Sequence, residues 1–421
     1  MIRAPKGTRD ILPPSSSVWN FVEDQARSVF RAYNYREIRT PIFEETLLFA
    51  RGVGEDTDIV TKEMYTFDDR DGASLTLRPE STASVIRAYI EHRLDQLPGL
   101  QKLYYMGPMF RRERPQKGRF RQFYQIGAEA IGSESPAVDA EMIELAVELL
   151  RSAGAAGTTL LLNSVGCPNC RPRYVSALRE KLKEAAPRMC PDCRRRAETN
   201  PLRVLDCKVE SDQPIIHNLP VILEYLCEDC RAHFQAVRSY LGDRGIGYEV
   251  RARLVRGLDY YMRTTFEITH GALGAQNSVL GGGRYDGLAE ALGSKVHSPG
   301  IGFSIGEDRL VMAIEETNPG AHAPRVDLFI APLGEAALRK TSVLAAKLRR
   351  AGCSVELAPE GRLKRTLELA DKLGATRVLI AGDNEIAAGT YTLRDMATGD
   401  QVAVSEAELC DKLGLKPEHE R

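Results

Sequence analysis

The sequence predicts an α+β chain: a core built on an antiparallel sheet, a helical insertion inside that core, and a separate C-terminal α/β domain. Three observations predict it. Two apolar and aromatic runs, 100–113 and 120–132, flank a short charged turn and read as an antiparallel hairpin. A long segment of helical period, 164–250, interrupts the strand and helix pattern that surrounds it. Beyond Arg325 the pattern becomes β-α-β-α-β, which implies a small parallel or mixed sheet covered by helices. The expected domains are therefore 1–163 with 251–318, the insertion 164–250, and 325–421.

Bulk properties bound the reading. A length of 421 residues fits two or three domains. The 57 basic and 58 acidic residues leave a formal charge of −1, so any contact with nucleic acid must come from local patches. The opening MIRAPKGTRDILPP carries no apolar run of the kind a signal peptide needs, and no stretch approaches the roughly 18 apolar residues of a membrane span. The expected compartment is the cytoplasm, with no membrane partner. The nine cysteines then read as reduced thiols or metal ligands rather than disulfides.

Along the chain, Pro13-Pro14-Ser15-Ser16-Ser17 is a helix-start signal, followed by Val18, Val22, Ala26, Val29, Phe30 and Tyr33 at helical spacing. The run YREIRTPIFEE reads as an edge or interface strand, because Pro41 cannot donate to a ladder. Met64–Phe67 and Ser74–Leu77 flank the acidic turn DDRDG as a hairpin, and Arg78-Pro79-Glu80-Ser81-Thr82 leads into a helix over 83–92, with Ser81 or Thr82 available as its N-cap. The central hairpin turn is the most charged stretch. Arg111, Arg112, Arg114, Lys117, Arg119 and Arg121 face a single acid, Glu113. Guanidinium forks at this density suit a polyphosphate. Gln125 and Glu129 share one face of the return strand, which places acceptors for an ammonium group at the base of the hairpin.

The insertion holds seven cysteines. Cys167-Pro-Asn-Cys170 and Cys190-Pro-Asp-Cys193 are separated by nineteen residues, a spacing that fits a structural Zn2+ site, and Cys207, Cys227 and Cys230 are alternative ligands to complete it or form a second one. Arg253-Leu-Val-Arg256-Gly-Leu-Asp259-Tyr260-Tyr261 packs cations, an acid and two tyrosines together. The two tyrosines offer flat walls with polar tips. Arg256 is suited to charge on a carboxylate or an α-phosphate. Gly281-Gly-Gly-Arg-Tyr285-Asp-Gly287 reads as a glycine-rich turn, and Gly300–Leu310 reads as strand, tight turn and helix around Arg309.

In FRRERPQKGRFRQF the hairpin resembles motif 2 of the class II aminoacyl-tRNA synthetases, in the form of the histidyl-tRNA synthetase family. The other stretches follow in the family's order. The helix and proline-containing strand near the N-terminus resemble motif 1, which implies a homodimer interface. Arg-Pro-Glu-Ser-Thr is similar to the family's Arg-Pro-Glu-Gly-Thr, with Ser81 in place of glycine. The double-tyrosine stretch and GGGRYDG resemble the two histidine signatures, with Met262 where Thr or Asn is usual. The Arg309 stretch resembles motif 3, with Gly-Glu-Asp-Arg for the more frequent Gly-Leu-Glu-Arg.

The resemblance implies a class II synthetase antiparallel core with a C-terminal anticodon-binding domain. It implies a histidine–tRNA ligase using L-histidine, ATP with Mg2+, and histidine tRNA. Arg111 and Arg256 are expected at the α-phosphate and carboxylate, and Arg111, Glu113, Arg119 and Arg309 around ATP. Glu80, Ser81, Thr82, Gln125, Glu129, Tyr260, Tyr261 and Tyr285 are expected around histidine. In the C-terminal domain, neutral with 15 basic and 15 acidic residues, Arg362, Lys364 and Arg365 are the basic cluster for tRNA phosphates. Two other readings compete: a catalytically silent, histidine-binding regulatory paralogue, and a zinc-dependent nucleic-acid-binding module with a dead core.

Overall fold

The computed structural model describes residues 2–55, 57–271, 273, 277–320, 322–323, 325–359 and 361–415. Two residues of the expected linker, Ala321 and Pro324, and the end of the C-terminal domain beyond 415 lie outside the described residues. Two compact units result, Met1–Ala321 and His322–Arg421.

The first unit contains helices α1 (Ser15–Ala32), α2 (Thr46–Val53), α3 (Thr82–Glu91), α4 (Pro136–Ser152), α5 (Arg171–Ala185), α6 (Pro191–Thr199), α7 (Gln213–His217), α8 (Glu228–Asp243), α9 (Leu288–Ala291) and α10 (Glu307–Thr317). Its strands are β1 (Arg36–Glu37), β2 (Phe43–Glu45), β3 (Tyr65–Asp68), β4 (Ser74–Leu77), β5 (Gln101–Phe110), β6 (Gln122–Ile131), β7 (Thr158–Ser164), β8 (Glu249–Val250), β9 (Met262–His270), β10 (Ser278–Arg284) and β11 (Gly300–Gly306). Eight strands form one sheet in the order β1-β5-β6-β11-β10-β9-β7-β8. The six from β5 to β7 pair antiparallel, and the short β1 and β8 add parallel edges.

The expected helix forms as α1, and its stripe Val18, Trp19, Val22, Ala26, Val29 and Phe30 is buried. Asn34, with φ of 60°, takes the left-handed conformation that ends a helix, and Asn tolerates it. Trp19 meets Tyr124 of β6 edge-on at 5.3 Å, which fastens the helix to the sheet. The run 35–45, read as one strand, is two. Pro41 separates β1, which borders the large sheet, from β2, which joins a three-stranded sheet in the order β2-β4-β3. A proline with no N–H to give is where the chain leaves one ladder for another.

The central hairpin is β5–β6, in register from Gln101↔Ile131 to Phe110↔Gln122. Both strands stop short of the runs read from sequence, and the arginines occupy the loop between them. Its tip turns at Gly118, with φ of 72°, over a bridge between Gln116 and Arg119. The Arg121 N–H donates to the Gly7 carbonyl at 2.7 Å, so the N-terminal segment lies against the hairpin.

The insertion has a core of its own around Tyr174, Leu178, Leu182, Val204, Ile216 and Ile222. Helix α8 belongs to both regions. Cys230 faces the insertion core, whereas Phe234, Val237 and Leu241 join the main core, where α8 packs along α4. Beneath this contact lies a buried ionic network. Arg284, fully buried, pairs with Asp139 of α4 and with Asp286 at 2.8 Å, and the ring of His233 meets Asp139 at 2.8 Å.

The second unit contains β12 (Val326–Pro332), α11 (Glu335–Arg350), β13 (Val355–Leu357), α12 (Leu363–Lys372), β14 (Ala375–Ala381), α13 (Asp383–Ala388), β15 (Tyr391–Asp395), β16 (Gln401–Val404) and α14 (Glu406–Lys412). Its five-stranded sheet has the order β13-β12-β14-β15-β16, parallel across the first three and antiparallel across the last two. The alternation carried the sequence reading as far as β14; β15, β16 and the helices around them were not anticipated.

Candidate active site

One cleft in the first unit gathers residues from the stretches that resembled motif 2, motif 3, the Arg-Pro-Glu-Ser-Thr run and the two histidine signatures; the stretch resembling motif 1 lies outside it. Its walls include Glu80, Thr82, Arg111, Glu113, Arg119, Gln125, Arg256, Tyr260, Tyr261, Tyr285 and Arg309. The floor is β6, β10 and β11, contributing Gln125, Gly281 and Gly302.

Close approach explains the glycines of the floor. A Cβ on Gly281 would lie 1.8 Å from the Arg256 guanidinium, and one on Gly302 would lie 1.7 Å from Glu129 Oε2. These strands meet the protein's own functional side chains, which only a bare backbone permits. The GGGR run is a central strand of the sheet.

One end of the cleft is closed and rich in hydroxyls. Glu129 has no exposed surface and lies behind the wall. Its Oε1 accepts from Thr82 Oγ1 at 2.8 Å, and its Oε2 accepts from the Tyr285 hydroxyl at 2.6 Å. Burial pushes the Glu129 carboxyl up to about 8. Ser81 is the N-cap residue of α3 but makes no cap bond; Glu80, one residue earlier, caps the helix instead, its two oxygens accepting from the N–H groups of Thr82 and Ala83 at 2.8 and 2.9 Å. Burial raises its carboxyl above the usual range too. Ser81, expected beside the amino acid, is turned away: its hydroxyl is fully buried and points to Met109 Sδ at 3.8 Å. The start of the helix makes this necessary, because Glu80 and Thr82 face the cleft and the residue between them faces the core. Tyr260 packs on Tyr261 at 4.6 Å and on Tyr285 at 5.9 Å, which makes the flat walls. Gln125 Oε1 is buried with no hydrogen-bond partner among the described residues. A buried acceptor left open in a cleft is prepared for a donor from a ligand.

The other end is cationic. Arg111 is held by the Pro79 carbonyl at 2.9 Å and lies over the Phe123 ring at 5.3 Å. Arg119 pairs with Glu113 at 2.9 Å. Arg309 donates to the carbonyls of Gly118 at 3.1 Å and Ser278 at 2.8 Å, so it joins the hairpin tip to β10. Burial and the nearby charge of Arg119 push the Arg309 guanidinium below its usual range. Cations so close together favour an anion between them. Arg256 sits between the two ends, paired with Glu267 at 2.6 Å and with a buried Nε that has no partner among the described residues.

Comparison with known proteins fits this geometry. The model of the family described as "Histidyl-tRNA synthetase" matches residues 7–310, and that of the "Anticodon binding domain" matches 327–414. The chain belongs to the histidyl-tRNA synthetase family. It is 72% identical to a histidine–tRNA ligase of Solibacter usitatus, over 98% of this chain and 99% of that one. It is 58% identical to one of Koribacter versatilis over 97% and 95%. The structure of apo S. aureus histidyl-tRNA synthetase superposes with a TM-score of 0.80 at 38% identity, covering 98% of this chain and all of that one.

Within this family's architecture, the cysteines depart from the sequence reading. The expected set Cys167, Cys170, Cys190 and Cys193 does not come together. Cys167 and Cys170 meet Cys227 and Cys230, whereas Cys190 and Cys193 meet Cys207 and Asp212. Equal CxxC spacing carried no record of which pair closes on which, since α8 brings Cys227 back across 60 residues of chain. Sequence reading also missed Asp212, the Arg284 network, and Arg9, which bonds Asp308 at 2.7 Å and lies over the Phe120 ring at 4.2 Å. A basic residue inside a glycine-rich signature was the signal for Arg284; Asp212 and Arg9 had none.

Proposed function

We propose that this histidine–tRNA ligase binds L-histidine at the closed end of the cleft and ATP, with its Mg2+, at the cationic end. A histidine carboxylate oxygen attacks the α-phosphorus, the bond from that phosphorus to the bridging oxygen of the β-phosphate breaks, and pyrophosphate leaves. A hydroxyl of the terminal adenosine of histidine tRNA then attacks the acyl carbon and AMP leaves. Phosphoryl-type transfer asks the protein chiefly for position and charge. Arg256 and Arg111 neutralise the carboxylate and α-phosphate as they approach, and Arg119, Arg309 and Glu113 hold the nucleotide. Gln125, Thr82 and Glu80 take the ammonium group, Tyr260, Tyr261 and Tyr285 take the imidazole, and Glu129 acts from behind the wall by holding Thr82 and Tyr285. Burial raises the phenols of Tyr260 and Tyr285 well above their usual range, so both stay protonated donors at neutral pH.

The observation that carries this reading is the polarity of the cleft: an open buried acceptor at Gln125 on one side of Arg256, and the arginines on the other. A silent histidine-binding paralogue has no use for the second half. Exposed Ile42, Phe43, Leu47 and Phe67 cluster at the three-stranded sheet and α2, and in our reading a second copy covers them in a homodimer. Arg362, Lys364 and Arg365, exposed at the start of α12, would contact tRNA phosphates.

Pyrophosphate–ATP exchange with each of the twenty amino acids tests the reading. Exchange with histidine alone is expected. No exchange from a folded protein that still binds histidine would favour the paralogue.

A further inference from the structure

We propose that the insertion is a two-zinc module, with one Zn2+ held by Cys167, Cys170, Cys227 and Cys230 and a second by Cys190, Cys193, Cys207 and Asp212. In each group the four ligand atoms lie within 4.8 Å of one another. Around a tetrahedral ion with Zn–S bonds of about 2.3 Å, the sulfurs stand roughly 3.8 Å apart. In the first group the measured separations are 3.7 Å for Cys167–Cys227, 3.7 Å for Cys167–Cys170 and 3.9 Å for Cys170–Cys230. These fit an ion between the sulfurs and are far beyond the roughly 2.05 Å of a disulfide.

The second group follows the same rule with one oxygen. Cys190 and Cys207 are 3.9 Å apart, and Cys207 Sγ lies 3.5 Å from Asp212 Oδ2, close to the roughly 3.6 Å edge of a mixed sulfur and oxygen tetrahedron. Asp212 has no exposed surface, and no ion pair joins it to a lysine or arginine among the described residues. The Cys190 N–H donates to both Asp212 oxygens at 3.2 and 3.1 Å and Ser211 Oγ donates to Oδ1 at 3.4 Å, and a metal ion among the three thiols would supply the opposite charge that these bonds do not. Backbone N–H groups point at the sulfurs of Cys170 at 3.0 Å, Cys190 at 3.4 Å and Cys207 at 3.4 Å, an arrangement that favours thiolates. Four donors, soft or mixed, with no open position, describe closed structural sites for Zn2+.

The module bears on the cleft through the loop before β9. Arg171, next to Cys170, donates to the Tyr261 carbonyl, and Arg253 donates to the carbonyls of Ile216 at 2.8 Å and Leu219 at 2.9 Å. That loop carries Arg256 and the two tyrosines. An insertion with a core this small gains from metal staples.

The test is elemental analysis of the purified full-length protein by plasma mass spectrometry, with Co2+ substitution. We expect two zinc ions per chain, falling to one in Cys227→Ser and to one in Asp212→Ala, and remaining at two in Cys353→Ser and Cys410→Ser. Should either site variant fail to fold, Co2+ titration of metal-stripped wild-type protein decides instead: two equivalents should develop tetrahedral thiolate–cobalt absorption. Less than one zinc per chain with all seven insertion cysteines reacting as free thiols in the native protein would overturn the proposal. So would iron in place of zinc, or a single zinc lost in both site variants.

Discussion

The two ends of the cleft are built on opposite plans. At the end proposed for histidine every carboxylate is already engaged: Glu80 by the first N–H groups of α3, and Glu129 by two hydroxyls. At the end proposed for the nucleotide, Arg111, Arg119 and Arg309 converge, with Glu113 as the nearest compensation. The first end is shaped before its ligand arrives, and the second is electrostatically incomplete until an anion completes it. The contrast teaches where specificity and rate reside. Buried, hydrogen-bonded walls reject the wrong side chain, because a mismatched ligand leaves buried groups unpaired. Positive charge, held in place by backbone carbonyls and Glu113, is concentrated where the proposed reaction shifts negative charge.

Four substitutions break or sharpen this comparison. The largest effect is expected from Arg284→Met, which removes the cation between Asp139 and Asp286 and unpins the strand leading into Tyr285. Breaking one partner out of a buried pair costs about 3–5 kcal/mol, so the urea midpoint should drop accordingly. Arg256→Ala comes next. Loss of a charge donor at the reacting atoms should lower histidine-dependent exchange by about 10²–10³-fold while circular dichroism shows the fold retained. Gly302→Ala drives a methyl group into Glu129 and to 2.6 Å from the Ala128 carbonyl, so a lowered melting temperature accompanies its effect on the pocket. Its KM for histidine should rise about tenfold, equivalent to ~1.4 kcal/mol, with the KM for ATP changed little; equal change in both would erase the distinction between the ends.

The smallest effect is a pH dependence. Glu129 holds its proton up to about 8 in the folded chain, whereas an ordinary glutamate has released it near 4.5. Its stabilisation is therefore present below about 4.5 and is lost as pH rises towards about 8. Glu129→Gln removes that loss. Melting temperatures of variant and wild type should move in the variant's favour between about pH 5 and about pH 9, and parallel curves would show the carboxyl ionised throughout.

Much of this was legible along the chain, and the gaps have physical causes. The β5–β6 hairpin and α1 were readable because period and turn residues are local properties. The pairing of cysteines was not, because ligand sets are closed by tertiary folding, and α8 returns Cys227 to Cys167 after a long detour. Ser81 was placed in the pocket by its neighbours in sequence, but a helix start points adjacent residues in different directions. Pro41 was read as marking an edge, and β1 and β2 on either side of it are both edge strands; what the sequence did not show is that they belong to different sheets. The last two strands of the second unit, β15 and β16, follow a short helix and lack the β-α-β alternation that revealed the first three.

The central claim, that the histidine end is complete without the nucleotide end, is tested most directly by calorimetric titration of histidine into Arg309→Ala in the absence of ATP. Binding within about twofold of wild type, from a variant whose pyrophosphate exchange has fallen by at least about tenfold, is the predicted result. A histidine affinity that falls in step with exchange would contradict it.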